Sequence, residues 1–252
     1  MRRALLFLVA AAALAGCGGA TKPSGPDPSS ATAATVGERT ARFTLLVGAR
    51  VGARDIQSSE TGQISFGARR AHIYKLLPGG AIPQEVVVVG PWTYTNANVD
   101  RAMNDRSVRP WTKLDTRRLS ARERTQHPDE LAHIGVLVRL PDGVRRAARI
   151  GELEVAGERV TQYNGEVDPA RVVAATPSNA RAGVRSALAN DYPAGPFLAS
   201  YWLDDASRVR RVLVTYATPK GTRISIDGRF SAFGAAIDTK LPPAGSIQDI
   251  TP

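Results

Sequence analysis

Between residues 42 and 230 apolar side chains keep recurring at every second position, and such a chain can bury them only as strands presenting one face to a core. Phe43, Leu45 and Val47 alternate with Arg42, Thr44 and Leu46. Ile64 and Phe66 alternate with Gln63, Ser65 and Gly67, and Ala71 and Ile73 follow. Val86 to Val89 is a continuous apolar run of strand length. Leu153 and Val155, then Phe197, Ala199, Tyr201 and Leu203, then Val212, Val214 and Tyr216, then Ile224, Ile226 and Phe230 repeat the theme. Pro78-Gly79-Gly80, Pro141-Asp142-Gly143 and Pro219-Lys220-Gly221 supply turn chemistry between these runs. The pattern predicts half-buried antiparallel strands.

Helical spacing is confined to a few mid-chain segments. Pro128-Asp129-Glu130 has the proline and acids of a first helical turn, and Leu131, Ile134 and Val138 follow at helical intervals. Ser178 is placed to cap a helix carrying Ala180, Val184, Ala187 and Leu188 on one face. Asp168–Ala175 and Asn98–Met103 read as shorter helical turns. The fold class is therefore α+β, one long antiparallel sheet with a few inserted helices. Two or three modest helices must cover a long apolar face. They either close a dry core, the commoner outcome, or leave room for a ligand.

The N-terminus locates the chain. Met1-Arg2-Arg3 precedes an apolar run from Ala4 to Leu14, too short to span a bilayer, and Leu14-Ala15-Gly16-Cys17 follows. The only cysteine in the chain sits directly after that small-residue cleavage site. This reads as a lipoprotein leader over residues 1–16, with Cys17 acylated and the protein exported and anchored at the outer face of the cell membrane. Residues 17–37, rich in Gly, Ser, Pro, Thr and Ala, read as a flexible tether. Residues 38–252 then form a single domain, with an extended Pro-rich end from Pro242. Lone Cys17 leaves the body without disulfides, so its stability comes from a core.

The charge is +10 for the whole chain, and 31 basic residues face 23 acidic ones once Arg2 and Arg3 leave with the leader. Outside the cytoplasm, nucleic acid is a poor partner for that charge, and no aromatic-interleaved basic stripe supports one. Arg69-Arg70, Arg117-Arg118, Arg145-Arg146 and Arg210-Arg211 are scattered, as solvated surface is, with anionic head groups the alternative.

Catalytic signatures are missing from the sequence. His72, His127 and His133 show no metal-ligand spacing, and a site assembled through space is left to the fold. No nucleophile elbow, phosphate loop or dinucleotide fingerprint occurs. Glu152 with Glu154, and Asp204 with Asp205, read as a strand's outer face and a turn. The reading is not an enzyme, and no cofactor is expected. An envelope enzyme would need one of the histidines beside an acid in a cleft. Trp92-Thr93-Tyr94, Trp111 and Tyr201-Trp202 sit in strand-like contexts, where core packing is the usual use and lining a ligand mouth the other.

An ordered set of markers resembles the LppX/LprAFG lipoprotein group of the LolA-like superfamily across most of residues 38–250. They are Gly62-Gln63-Ile64-Ser65-Phe66 with Arg69-Arg70-Ala71, then Tyr94-Thr95-Asn96, then Pro110-Trp111-Thr112-Lys113-Leu114-Asp115. His127-Pro128-Asp129-Glu130-Leu131, Val155 through Tyr163-Asn164-Gly165, and Tyr201-Trp202-Leu203-Asp204-Asp205 leading to Arg208–Val212 complete the set. The resemblance implies a strongly curved, half-barrel sheet with helices on its concave side. It also implies an apolar cavity that holds acyl chains or lipidated partners and carries them through the envelope, with an envelope sensor or protein-binding module as the alternative. No residue roles transfer. The inward-alternating positions Phe43, Leu45, Phe66, Ile73, Trp92, Trp111, Tyr201, Val212, Val214 and Ile224 are the candidate lining. The expected partners are a lipid, the membrane through Cys17, and an envelope protein in the alternative reading.

Overall fold

The computed structural model describes residues 25–252, except 79–82, 97, 98, 106, 128 and 156. Cys17, the leader and the start of the tether lie outside the described residues. The elements run α1 (Ala31–Gly37), β1 (Thr40–Val51), β2 (Arg54–Ser65), β3 (Arg70–Leu76), β4 (Gln84–Val89), β5 (Trp92–Thr95), α2 (Val99–Asn104), β6 (Trp111–Asp115) and α3 (Ala121–Gln126). They continue with α4 (Glu130–Arg139), β7 (Val144–Val155), β8 (Glu158–Val167), α5 (Pro169–Ala175), α6 (Ser178–Asp191), β9 (Phe197–Asp204), β10 (Val209–Ala217), β11 (Arg223–Ser231) and β12 (Ile247–Asp249).

All twelve strands join one open sheet in the order β12-β6-β5-β4-β3-β2-β1-β11-β10-β9-β8-β7. Each pairing is antiparallel except β12 with β6. Register sets which residues share a face, because directly opposed residues point the same way. Phe43 opposes Phe230 and Gly62, Leu45 opposes Gly228 and Glu60, and Val47 opposes Ile226 and Ser58. Across β10 and β9 the same face carries Val212, Val214, Tyr201 and Ala199. Helices α4, α5, α6 and α1 lie on that face, and their Ile134, Leu137, Val138, Val172, Val184 and Leu188 are buried in one cluster with the strand residues. Gly228 explains how close α4 comes, since a Cβ there would meet Leu137 Cδ1 at 2.7 Å.

Capping starts the helices where acids and prolines predict. Asp129 accepts from Leu131 N to begin α4, Asp168 accepts from Ala170 N ahead of Pro169 in α5, and Ser120 and Glu123 form a reciprocal box on α3. The expected cap at Ser178 is corrected. Pro177 is the N-cap, Ser178 is the first helical residue, and no side chain caps that end.

Two expectations about the ends change. The flexible tether is not flexible over its described part: a 3-10 turn at Pro28–Ser30 leads into α1, with Ala31, Thr32 and Thr35 buried. Thr32 Oγ1 donates to Val138 O at 3.0 Å, and Thr35 Oγ1 accepts from Val209 N at 2.8 Å. Tyr163 OH also donates to Pro26 O at 2.7 Å. Small residues dock where large ones would not fit, and their hydroxyls satisfy backbone groups of α4 and β10. The Pro-rich end is likewise more than an extended tail. Gly234 N donates to Thr40 O, Asp238 N donates to Gln63 Oε1, and the chain crosses the outer face to add β12 beside β6.

Candidate functional site

On β1 and β11 the inner face of the sheet is mainly apolar along its length, whereas Ser58, Glu60 and Lys75 interrupt it on β2 and β3. Along β1, Ala41, Phe43 and Leu45 are buried, Val47 and Ala49 are half-buried, and Val51 is exposed. Along β11 the same gradient runs from Phe230 and Ile226 to Ile224, while on β2 a buried Ile64 and an exposed Ile56 are separated on this face by Gly62, Glu60 and Ser58. An apolar wall therefore leads from open solvent down to the packed core.

A polar cleft of about 360 Å³ lies where the helices meet that wall. Glu60 on β2 and Lys75 on β3 oppose one another across the ladder and face inward. Glu130 and His133 of α4, with Asp191 of α6, close the other side. Lys75 Nζ is 3.4 Å from Glu60 Oε1 and also donates to Glu130 Oε2. Burial opposes the Lys75 charge, but Glu130 and Glu60 outweigh it and hold the ammonium pKa above its ordinary value. His133 Nδ1 bonds Asp191 Oδ2 at 2.8 Å. Burial again works against the cation, and the Asp191 hydrogen bond and charge, helped by Glu60 and opposed by Lys75, raise the His133 pKa. Arg69 NH1 donates to Asp129 Oδ2 at 2.7 Å, and Tyr216 OH donates to Asp191 O at 2.6 Å. These contacts tie the start of α4 and the end of α6 to β2, β3 and β10.

Most of the positions nominated from the sequence lie together in the packed core. Phe43, Leu45, Ile73, Tyr201, Val212 and Val214 are buried together, with Phe66 and Ile224 partly buried against them. The helices pack directly on these residues. Trp92 and Trp111 are corrected. Trp92 opposes Val89 and Asp115, which lie on the other side of the pleat from Val86, Val88 and Leu114. Lys113 Nζ sits 3.8 Å from the Trp92 ring centre on that outer face, and Trp111 pairs with Ile247 of β12. Alternation holds within each strand, but the tight β4–β5 turn and the longer β5–β6 connection through α2 set which parity faces in.

Sequence reasoning missed Glu60, Lys75, Glu130 and Asp191, because an inward charge breaks the apolar period instead of extending it. Charged residues at the inward parity of β2 and β3 are the signal that could have found them. Two hydroxyls inside the core are also new: Tyr192 OH and Tyr201 OH are buried without a hydrogen-bond partner among the described residues. Burial pushes both phenols well above their ordinary pKa.

His133 beside Asp191 in a cleft is the juxtaposition an enzyme reading required. The His133–Asp191 hydrogen bond ties α4 to α6. Among the described residues no cluster of three or more His, Cys, Asp and Glu side chains is placed to hold a metal ion, and no helix is long and apolar enough to cross a membrane.

No family model and no curated protein matches the chain. Solved structures do. LprF from Mycobacterium bovis superposes with a TM-score of 0.51 at 14% identity, over 86% of this chain and 99% of that one. The lipoprotein LppX of Mycobacterium tuberculosis superposes with a TM-score of 0.51 at 13% identity, over 82% and 93%. A LolA superfamily protein, NE2245 from Nitrosomonas europaea, superposes less closely, with a TM-score of 0.35. At such identities the likeness is one of fold, and the chain has an open, mostly antiparallel sheet with helices, the fold of LprF and LppX.

Proposed function

We propose that this chain is an exported envelope lipoprotein, anchored through acylated Cys17, that holds lipid acyl chains between sheet and helices and carries them. The observation that carries this reading is the apolar strip on the inner face of β1 and β11, which runs from buried Phe43, Leu45 and Ile226 past half-buried Val47 and Ile224 to an exposed Val51. A methylene moved from water onto such a wall contributes about 0.8 kcal/mol, so ten would contribute about 8 kcal/mol, enough for firm but reversible holding. The helices rest on the core in this structure, and an entering chain must lift α4 and α6 off it. The charge ties at Lys75 and His133 are the contacts that such a movement breaks. Tyr192 and Tyr201 hydroxyls, unpartnered within the core, would then meet the ester or carboxyl oxygens of the guest.

A second reading, a protein-binding or sensor module, is favoured by one observation: most residues lining the cleft are polar or charged, among them Glu60, Lys75, Asp129, Glu130, His133 and Asp191. Native mass spectrometry on the body, residues 25–252, purified without detergent from a lipid-containing host, separates the two. A phospholipid or acylated species bound near one-to-one supports lipid holding. A clean mass that stays unchanged when lipid is added favours the protein-binding module.

A further inference from the structure

We infer that the projecting end of the sheet is a docking edge for an anionic lipid bilayer. The β1–β2 ladder ends at Val51 opposite Arg54, whereas the β2–β3 ladder ends at Ser59 opposite Leu76. The hairpin thus runs five residue pairs further, about 16 Å of extended chain. Arg223 pairs with Arg50 and with Ala217, so the β10–β11 turn rises to the same level.

Large apolar side chains are exposed here. Val51 is 51% exposed and Ile56 43%, while exposed Leu76 and Leu77 stand lower down, at the step where β3 ends. Basic residues surround them: Arg50, Arg54, Lys220 and Arg223. The one carboxylate on these strand ends, Asp55, is taken up by Arg50 at 2.7 Å. No ion pair among the described residues engages Arg54, Lys220 or Arg223. At the opposite end of the sheet several basic residues are matched, Arg208 with Glu38 and Asp204, Arg210 with Glu158, and Arg159 with Asp205, while no ion pair among the described residues engages Arg39, Arg42 or Arg70 there. Exposed aliphatics ringed by unmatched cations complement an anionic head-group layer, where the cations meet phosphates and the aliphatics reach the acyl boundary. The edge is also the open end of the apolar wall on the inner face, so docking would set the mouth of that wall against lipid.

This inference takes the envelope location from the proposed function but does not need a bound acyl chain. The test uses the body, residues 25–252, which contains every described element of the core. It is floated with phosphatidylcholine vesicles, with and without about a third phosphatidylglycerol. Binding is expected to the anionic vesicles and to weaken with salt. Each cation contributes about fivefold to partition, so Arg54→Gln with Lys220→Gln and Arg223→Gln should weaken it about a hundredfold. Val51→Ser with Ile56→Ser should also weaken it, and Arg159→Gln at the far end should leave it unchanged. Circular dichroism on each variant checks that the sheet is intact. Equal binding to both vesicle types, no binding to either, or a triple variant that binds like the parent overturns the inference. Lipid found in the native mass spectrum alongside any of those results leaves lipid holding in place and removes only the docking edge.

Discussion

Removing the Lys75 ammonium would leave Glu60 and Glu130 facing one another in a cleft where all three side chains are largely buried. Losing one member of such a group costs about 3–5 kcal/mol, because carboxylates are left in low dielectric without a counter-charge. Lys75→Met is therefore expected to lower unfolding free energy by about 3 kcal/mol in denaturant titration. Adding Glu60→Gln and Glu130→Gln should recover most of that loss, and no recovery would mean that the ammonium acts through packing alone. His133 gives a pH signature. Its folded pKa is raised above the ordinary 6.5, so the imidazolium is favoured in the fold. The stability it contributes is fully present below the unfolded pKa and is lost as pH rises through the folded pKa. Denaturation from about pH 5 to about pH 9 should show that loss in the parent chain and not in His133→Gln. Of these residues only His133 was singled out from the sequence, since a charge on an otherwise apolar face, as at Glu60 and Lys75, reads there as an interruption.

At the scale of elements, α4 is held by close approach to β11. A Cβ on Gly228 would press on Leu137, so Gly228→Val should cost about 1–3 kcal/mol by overpacking, read as a lower denaturation midpoint with unchanged far-ultraviolet dichroism. Most of the sheet was legible. The alternations at Phe43–Val47, Phe197–Leu203 and Val212–Tyr216 became β1, β9 and β10. The first half of β2 was not, because Asp55 and Gln57–Glu60 carry no apolar period; the ladder with β1 holds them extended. The segment ending in α1 escaped notice for the opposite reason. Ala31, Thr32 and Thr35 are the small residues of a linker, and only their docking sites on α4 and β10 show them to be structural. β12 is three residues long and parallel, and nothing local announces it.

The molecule as a whole is an open sheet whose concave side is part packed core and part bare apolar wall, joined at a charged cleft. Its fold class followed from strand periodicity and a few helices, and its fold is that on which LprF and LppX superpose. Which aromatics point inward did not follow, because Trp92 and Trp111 depend on turns whose parity only the three-dimensional register reveals. The central claim is that acyl chains lie against the inner wall beneath α4. The measurement that bears on it most directly is photo-crosslinking of the body with a fatty acid carrying a photoreactive group at its chain end, mapped by peptide mass spectrometry. The account predicts adducts on Phe43–Val47 of β1 and Ile134–Val138 of α4. Adducts confined to the outer face around Trp92 and Trp111, or none above an unfolded control, would contradict it.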